Sequence, residues 1–141
     1  MESAQMHTRY ERTARALIGI GGQLLVCKGK NDPFCHLPGG HCEAGEQPAD
    51  TVIRELREEC GREVSRLDAV QVVYNTFDKG ATRITEEMHV FKASLYPALQ
   101  EMPQRSREDW LEFLWVPLQD LDKANLLPPV CRDLARRYCG V

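Results

Sequence analysis

Residues Gly40 to Gly61 read GHCEAGEQPADTVIRELREECG, a glycine-flanked loop that runs into a helix. Four glutamates and an arginine stand in it at fixed offsets: Glu46, then Arg54-Glu55, then Glu58-Glu59. Carboxylates spaced three and four residues apart on a helix repel each other and cost a few tenths of a kcal/mol per pair. Such crowding makes sense where cations occupy the face. Mg²⁺ and Mn²⁺ take oxygen ligands in octahedral shells, usually a few carboxylates together with waters and phosphate oxygens. The segment therefore points to a hard-metal site and, through it, to a phosphate substrate.

The same stretch carries its own fold signals. Ala49, Ile53, Leu56 and Cys60 recur at helical spacing and form an apolar stripe from Pro48 to Cys60. At about 100° per residue, Glu55, Glu58 and Glu59 fall on a face well around from that stripe. The expectation is one packed face and one face free to hold ions. Pro48 suits the first helical turn, and Gly61 suits a left-handed stop.

Working outward, Thr13 to Ile20 reads as a strand, Gly21-Gly22 as a hairpin turn, and Leu24 to Lys28 as the returning strand. Gly29 to Pro33 is a loop, and Phe34 to Leu37 leads into the rigid turn Pro38-Gly39-Gly40. Val64 to Phe77 and Ile84 to Leu95 are strand-rich, joined by a turn at Asp78-Lys79-Gly80. Pro97 to Asp109 is a polar loop, Trp110 to Val116 a further strand, and Pro117 to Leu121 a short turn or helix. Pro128-Pro129 opens a final helix with Val130, Leu134 and Tyr138 about one turn apart. Strands with one central and one terminal helix predict an α/β fold, an α/β/α sandwich on a mixed sheet. The 141 residues fit a single domain spanning 1–141.

Composition excludes several classes. A net charge of −3 argues against a surface that neutralises a nucleic-acid polymer. The N-terminal MESAQMHTRYERTAR has no apolar run of the secretory kind, and nothing approaches the roughly 18 residues of a membrane span. Six cysteines without a CxxC pair read as free thiols of a reducing compartment. The expectation is a soluble, cytoplasmic protein.

Gly40, Glu46, Arg54, Glu55, Leu56, Glu58, Glu59 and Gly61 match the pattern Gly-x5-Glu-x7-Arg-Glu-aliphatic-x-Glu-Glu-x-Gly-aliphatic at every element but the last. There Arg62 replaces the aliphatic residue. This is the Nudix box, and the chain resembles the MutT-like Nudix hydrolases. Leu37-Pro38-Gly39-Gly40 and Gly45-Glu46 are similar to the LPGG…GE setting of the box. The early hairpin and Trp115 to Leu118 extend the resemblance to nearly the whole length.

The resemblance implies Mg²⁺- or Mn²⁺-dependent pyrophosphohydrolysis of a nucleoside diphosphate linked to another moiety. It implies that Glu55 and Glu59 hold the metal, often with Glu58 and the carbonyl near Gly40. Arg54 would orient the carboxylates, and Glu46 would be structural or bind a further ion. The general base is Glu58 first, or else a carboxylate before the late strand (Glu101, Glu108, Asp109 or Glu112, of which Glu112 ranks ahead). No Ser-His-Asp or Cys-His arrangement stands out, which favours direct attack by water.

Substrate contacts lie outside the box. Phe34 and Trp110 neighbour loops and offer apolar faces to a small nucleotide-type substrate, while Asn75 and Asn125 offer paired hydrogen bonds to a base edge. His89 reads as a sheet histidine, and Glu86 and Glu87 as edge charges, with the lesser alternative that one of them reaches the metals. The alternative of another class is a non-catalytic, nucleotide-binding regulatory Nudix module. The intact set of Glu55, Glu58 and Glu59 speaks against it. A prenyl diphosphate isomerase would call for a catalytic cysteine and added acidic segment, and a decapping enzyme for extra domains or basic surface. Neither is evident. A homodimer is an open expectation.

Overall fold

The computed structural model describes residues 7–97 and 111–140. Its strands are β1 (His7–Leu17), β2 (Gly19–Ile20), β3 (Gln23–Gly29), β4 (Gly39–His41), β5 (Glu63–Lys79), β6 (Thr82–Tyr96) and β7 (Leu111–Pro117). The helices are α1 (Pro48–Cys60) between β4 and β5, and α2 (Val130–Cys139) at the end, with a 3₁₀ turn at Leu118–Asp120 after β7. One sheet has the order β4-β1-β6-β5, and a second has β2-β3-β7. β1 and β6 run parallel while the other pairs are antiparallel, so the four-stranded sheet is mixed. The two sheets join where Leu25 N–H donates to the Ile18 carbonyl at 2.9 Å.

Alternation along the strands divides the core in two. Ala14, Ala16, Leu25, Cys27, Phe91, Ala93 and Phe113 face α1 and meet Val52, Leu56 and Cys60. Leu17, Leu24, Val26, Met88, Val90 and Val116 point the other way and meet Cys131, Leu134 and Ala135 of α2. A strand buried on both faces reads as a continuous apolar run, which is why Leu24 to Cys27 shows no polar alternation. Helices on both faces make the expected α/β/α arrangement.

Several local expectations are met. The helix runs from Pro48 to Cys60, and Gly61 caps it at φ 66° with its N–H on the Arg57 carbonyl. That conformation suits a residue without Cβ. Gly21-Gly22 is the two-residue turn between Ile20 and Gln23. All six cysteines are free thiols. Among the described residues no helix is long and apolar enough to cross a membrane.

Other expectations are corrected. β1 begins at His7, six residues before the expected start, because its first half pairs with Thr82 onward in β6. The β5–β6 turn is Gly80-Ala81, since Asp78 and Lys79 remain paired with Arg83 and Thr82. Glu86 and Glu87 are not edge charges. β6 lies between β1 and β5, and Glu86 is buried with 8% exposure, accepting a hydrogen bond from Thr13 Oγ1 at 2.8 Å. α2 buries Cys131, Leu134 and Ala135, whereas Val130 is exposed at the helix start. On α1 the buried face includes Val52 and Glu59, rotated from the stripe through Ala49 and Ile53.

Leu56, fully buried against the sheet, should be the strongest packing determinant of α1. Leu56→Ala should lower unfolding free energy by about 2–5 kcal/mol in urea titrations. A loss below about 1 kcal/mol would mean that α1 does not dock as described.

Candidate functional site

One side chain ties the loop after β4 to α1. Arg54 Nε and Nη2 donate to the two oxygens of Glu46 at 2.9 and 3.0 Å, a side-on fork. Its Nη1 donates to Glu55 at 3.0 Å and to Glu58 at 3.3 Å, and Nη2 also reaches the His41 carbonyl at 3.1 Å. Glu46 accepts further from Thr51 Oγ1 at 2.7 Å and from the Glu43 N–H at 3.1 Å. The Arg54 bonds, with those from Thr51 and Glu43, hold the Glu46 carboxyl down at about 2. Arg54 is pushed further up in turn, mainly by its bonds to Glu46. Both Glu46 oxygens are thus engaged inside the protein, and they strap the loop to the helix.

The three helix glutamates divide. Glu55 is half-buried, and burial raises its carboxyl while Arg54 pulls it back. It lies against Gly40: a Cβ on that residue would sit 2.5–2.9 Å from the Glu55 carboxylate. Only glycine permits this approach of carboxylate to backbone. Glu59 is 6% exposed at the floor. Its charge reaches Cys60, whose thiol burial and Glu59 together push up to about 12. Glu58 stands outside, its side chain 53% exposed, with Arg54 beside it.

A cavity of about 490 Å³ opens over this floor, lined by Gly39, Gly40, Glu43, Arg54, Glu55, Glu59 and Leu111. A second, of about 420 Å³, is lined mainly by apolar groups: Phe34, Phe77, Met88, Leu127, Pro128 and Pro129, with Asn75, Glu11 and Glu86. Arg15, His36 and His41 line both. His36 Nδ1 donates to the Leu37 carbonyl at 3.1 Å, because a carbonyl only accepts. Burial, helped by the Arg15 charge, holds its ring down at about 4, so it is neutral at pH 7.

Of the expected site residues, Gly40, Glu55, Glu59 and Arg54 share the first cavity, and Phe34 and Asn75 share the second. Glu58 lies outside the lining of the first. Glu112 pairs with Lys28 and lies on the opposite face of β7 from Leu111 and Phe113, which point to the α1 side. Asn125 lines neither cavity. It sits at φ 59°, a conformation asparagine tolerates, and its side-chain oxygen accepts from Arg132 Nη2 at 3.2 Å. Trp110, Glu101, Glu108 and Asp109 lie outside the described residues. His89 Nε2 donates to the Glu87 carboxylate at 2.8 Å, as a sheet histidine would. Sequence reasoning missed Arg15, His36, Phe77, Glu86 and Met88 as cavity residues. Arg15 had a signal, since it is the charge inside the otherwise small and apolar run ARALIGI.

Among the described residues no three His, Cys, Asp or Glu side chains converge into a ready-made metal cluster. The donors present nevertheless suit an ion that keeps several waters. Glu55 and Glu59 line one cavity with the Gly40 backbone, and the missing Cβ leaves that backbone open.

A family model for the NUDIX domain matches residues 10–137. An ADP-ribose pyrophosphatase of Bacillus subtilis (strain 168) is 28% identical over 103 residues, covering 70% of this chain and 54% of that protein. An ADP-ribose pyrophosphatase of Methanocaldococcus jannaschii is 37% identical over 76 residues, covering 50% of this chain and 44% of that protein. The chain thus spans about half the length of these curated relatives. The crystal structure of a mutator MutT protein from Bacillus halodurans superposes with a TM-score of 0.66 at 16% identity, covering 89% of this chain and 80% of that one. A likeness at that identity speaks for the fold alone.

The neutral His36 generates a pH dependence. Its folded value lies below the unfolded 6.5, so the unfolded chain binds the extra proton. Its contribution is complete above about 6.5 and lost as pH falls through about 4. Denaturant titrations should show stability falling over that window by on the order of 2 kcal/mol more in wild type than in His36→Gln. Equal slopes would contradict a buried neutral ring.

Proposed function

The chain belongs to the Nudix family, and from that membership we propose that it hydrolyses the phosphoric anhydride of a nucleoside diphosphate linked to another moiety. The observation that carries this reading is the juxtaposition of Glu55 on Gly40, with Glu59 in the same cavity and an apolar pocket adjoining. The family typically uses divalent metal cofactors. Here Glu55 and Glu59, with the Gly40 carbonyl and Glu58, would hold Mg²⁺ or Mn²⁺. When bound, such an ion polarises a phosphoryl oxygen and lowers the pKa of a coordinated water.

Arg54 keeps Glu55 and Glu58 at fixed separation, so the carboxylates are set before any ligand arrives. The water oxygen forms a bond to phosphorus as the bridging P–O bond breaks. The leaving phosphate takes the electron pair, and Glu58 takes the proton. Phe34, Phe77 and Met88 offer apolar faces to the base or sugar, and Asn75 offers a polar edge. The first compound to test is ADP-ribose, named in both curated relatives. Free thiols suit the reducing cytoplasm.

A nucleotide-binding module without turnover is the second reading, favoured by the want of a three-residue ligand cluster among the described residues. One assay separates the two. ADP-ribose, nucleoside triphosphates, dinucleoside polyphosphates and nucleotide sugars are offered with Mg²⁺, and products are read by chromatography. Hydrolysis of at least one compound is expected, abolished by chelator and restored by Mg²⁺ or Mn²⁺. Glu58→Gln and Glu59→Gln should each lower kcat about 10²-fold or more while the thermal midpoint holds. Binding without hydrolysis across the panel selects the module. Near-wild-type turnover in both variants would sink the site assignment.

A further inference from the structure

Among the described residues two arginines line the first cavity, and their surroundings differ. Arg54 is saturated by carboxylates and a carbonyl. Arg15 lines both cavities, donates from Nη1 to the Leu37 carbonyl at 3.2 Å, and forms no ion pair among the described residues. Its Nε is buried with no hydrogen-bond partner among them. Of the two acids that line the second cavity among the described residues, Glu86 is held by Thr13, and Glu11 by Arg9 and His41. The Arg15 charge is nonetheless felt by its neighbours: it helps keep His36 neutral.

A buried guanidinium donor without a partner costs stability. Its placement makes physical sense if an anion completes it. The planar fork of arginine matches phosphate oxygens, and a phosphate lying between the carboxylate cavity and the apolar pocket would meet it. We propose that Arg15 binds the phosphate next to the sugar of the substrate, the group that joins nucleoside to anhydride. This rests on the hydrolase reading for the identity of the ligand, since that reading puts the scissile anhydride over Glu55 and Glu59. Arg15 would then fix which phosphate lies over the acidic floor and set the register of the whole substrate.

The test needs no metal and no turnover. Calorimetry in EDTA measures AMP, GMP, CMP and UMP, each against its own nucleoside, on wild type, Arg15→Met and Arg15→Lys. In wild type at least one monophosphate should bind more tightly than its nucleoside. Arg15→Met should lose that advantage, about tenfold to a hundredfold, with nucleoside affinity unchanged. Arg15→Lys should retain part of it. Without ligand, Arg15→Met should melt at or above the wild-type midpoint, because an unsatisfied donor is removed.

No phosphate advantage in any wild-type pair would overturn the proposal. So would an unchanged advantage in Arg15→Met, or a loss of several degrees in both variants, which would make Arg15 a structural residue. The hydrolase reading fails separately: a wild type that binds monophosphates through Arg15 yet cleaves no anhydride would leave this assignment standing.

Discussion

The Arg54 guanidinium is the constraint on which the site depends. Its partners come from the end of β4 (the His41 carbonyl), from the loop after it (Glu46) and from a helix (Glu55 and Glu58), so one planar group fixes the loop, the helix and the spacing of two carboxylates. Without it, Glu55 and Glu58 would repel at three residues' separation, and Glu46 would keep only its bonds from Thr51 and the Glu43 N–H. The geometry is inherited from the helix, since residues 54 and 58 lie one turn apart on the same face. Gly40 supplies the other half of the constraint by letting the Glu55 carboxylate close on the backbone.

Much of the fold was legible because local chemistry specified it. Pro48 starts the helix, Gly61 ends it, and the hairpin glycines mark the turn between β2 and β3. The buried face of α1 was misread for an instructive reason. Val52 and Ile53 are neighbours, and either can anchor an apolar stripe. Counting from Val52 at about 100° per residue, Leu56 falls about 40° away and residue 59 about 20° away. Glu59 therefore sits within the packed stripe, although its charge suggests the solvated face. An acid in a core position is where a hydrophobicity pattern gives the wrong answer.

The second cavity was less legible because it depends on long-range pairing. Parallel pairing of β1 with β6 sets Glu11 beside Glu86 and Thr13 beside Met88, residues some 75 positions apart. Antiparallel pairing then brings Asn75 beside Glu86. Nothing local in TEEMHV distinguishes an exposed edge from the middle of a sheet, so Glu86 and Glu87 read as edge charges. Asn75 was picked out as a possible base reader, but Phe77 and Met88 acquire a shared surface only once the strands are laid side by side. Asn125 shows the converse, where a residue suited to reading a base is occupied with holding a left-handed turn against Arg132.

The two cavities divide their chemistry between the elements that line them. The acidic floor comes from a contiguous loop and helix, stiffened by Arg54, and its residues recur as a compact sequence pattern. Among the described residues the apolar pocket is lined from five separate regions, around Glu11, Phe34, Asn75, Met88 and Pro128, none of which bonds to Arg54. Arg15 and His36 stand at the junction. His36 is neutral, whereas Arg15 brings a full positive charge to both cavities. A guanidinium has five N–H donors, and Arg54 spends its own on the protein, whereas Arg15 commits one of them to Leu37. The difference in saturation separates the two: Arg54 is taken up by loop and helix, and Arg15 keeps a buried Nε–H with no partner among the described residues.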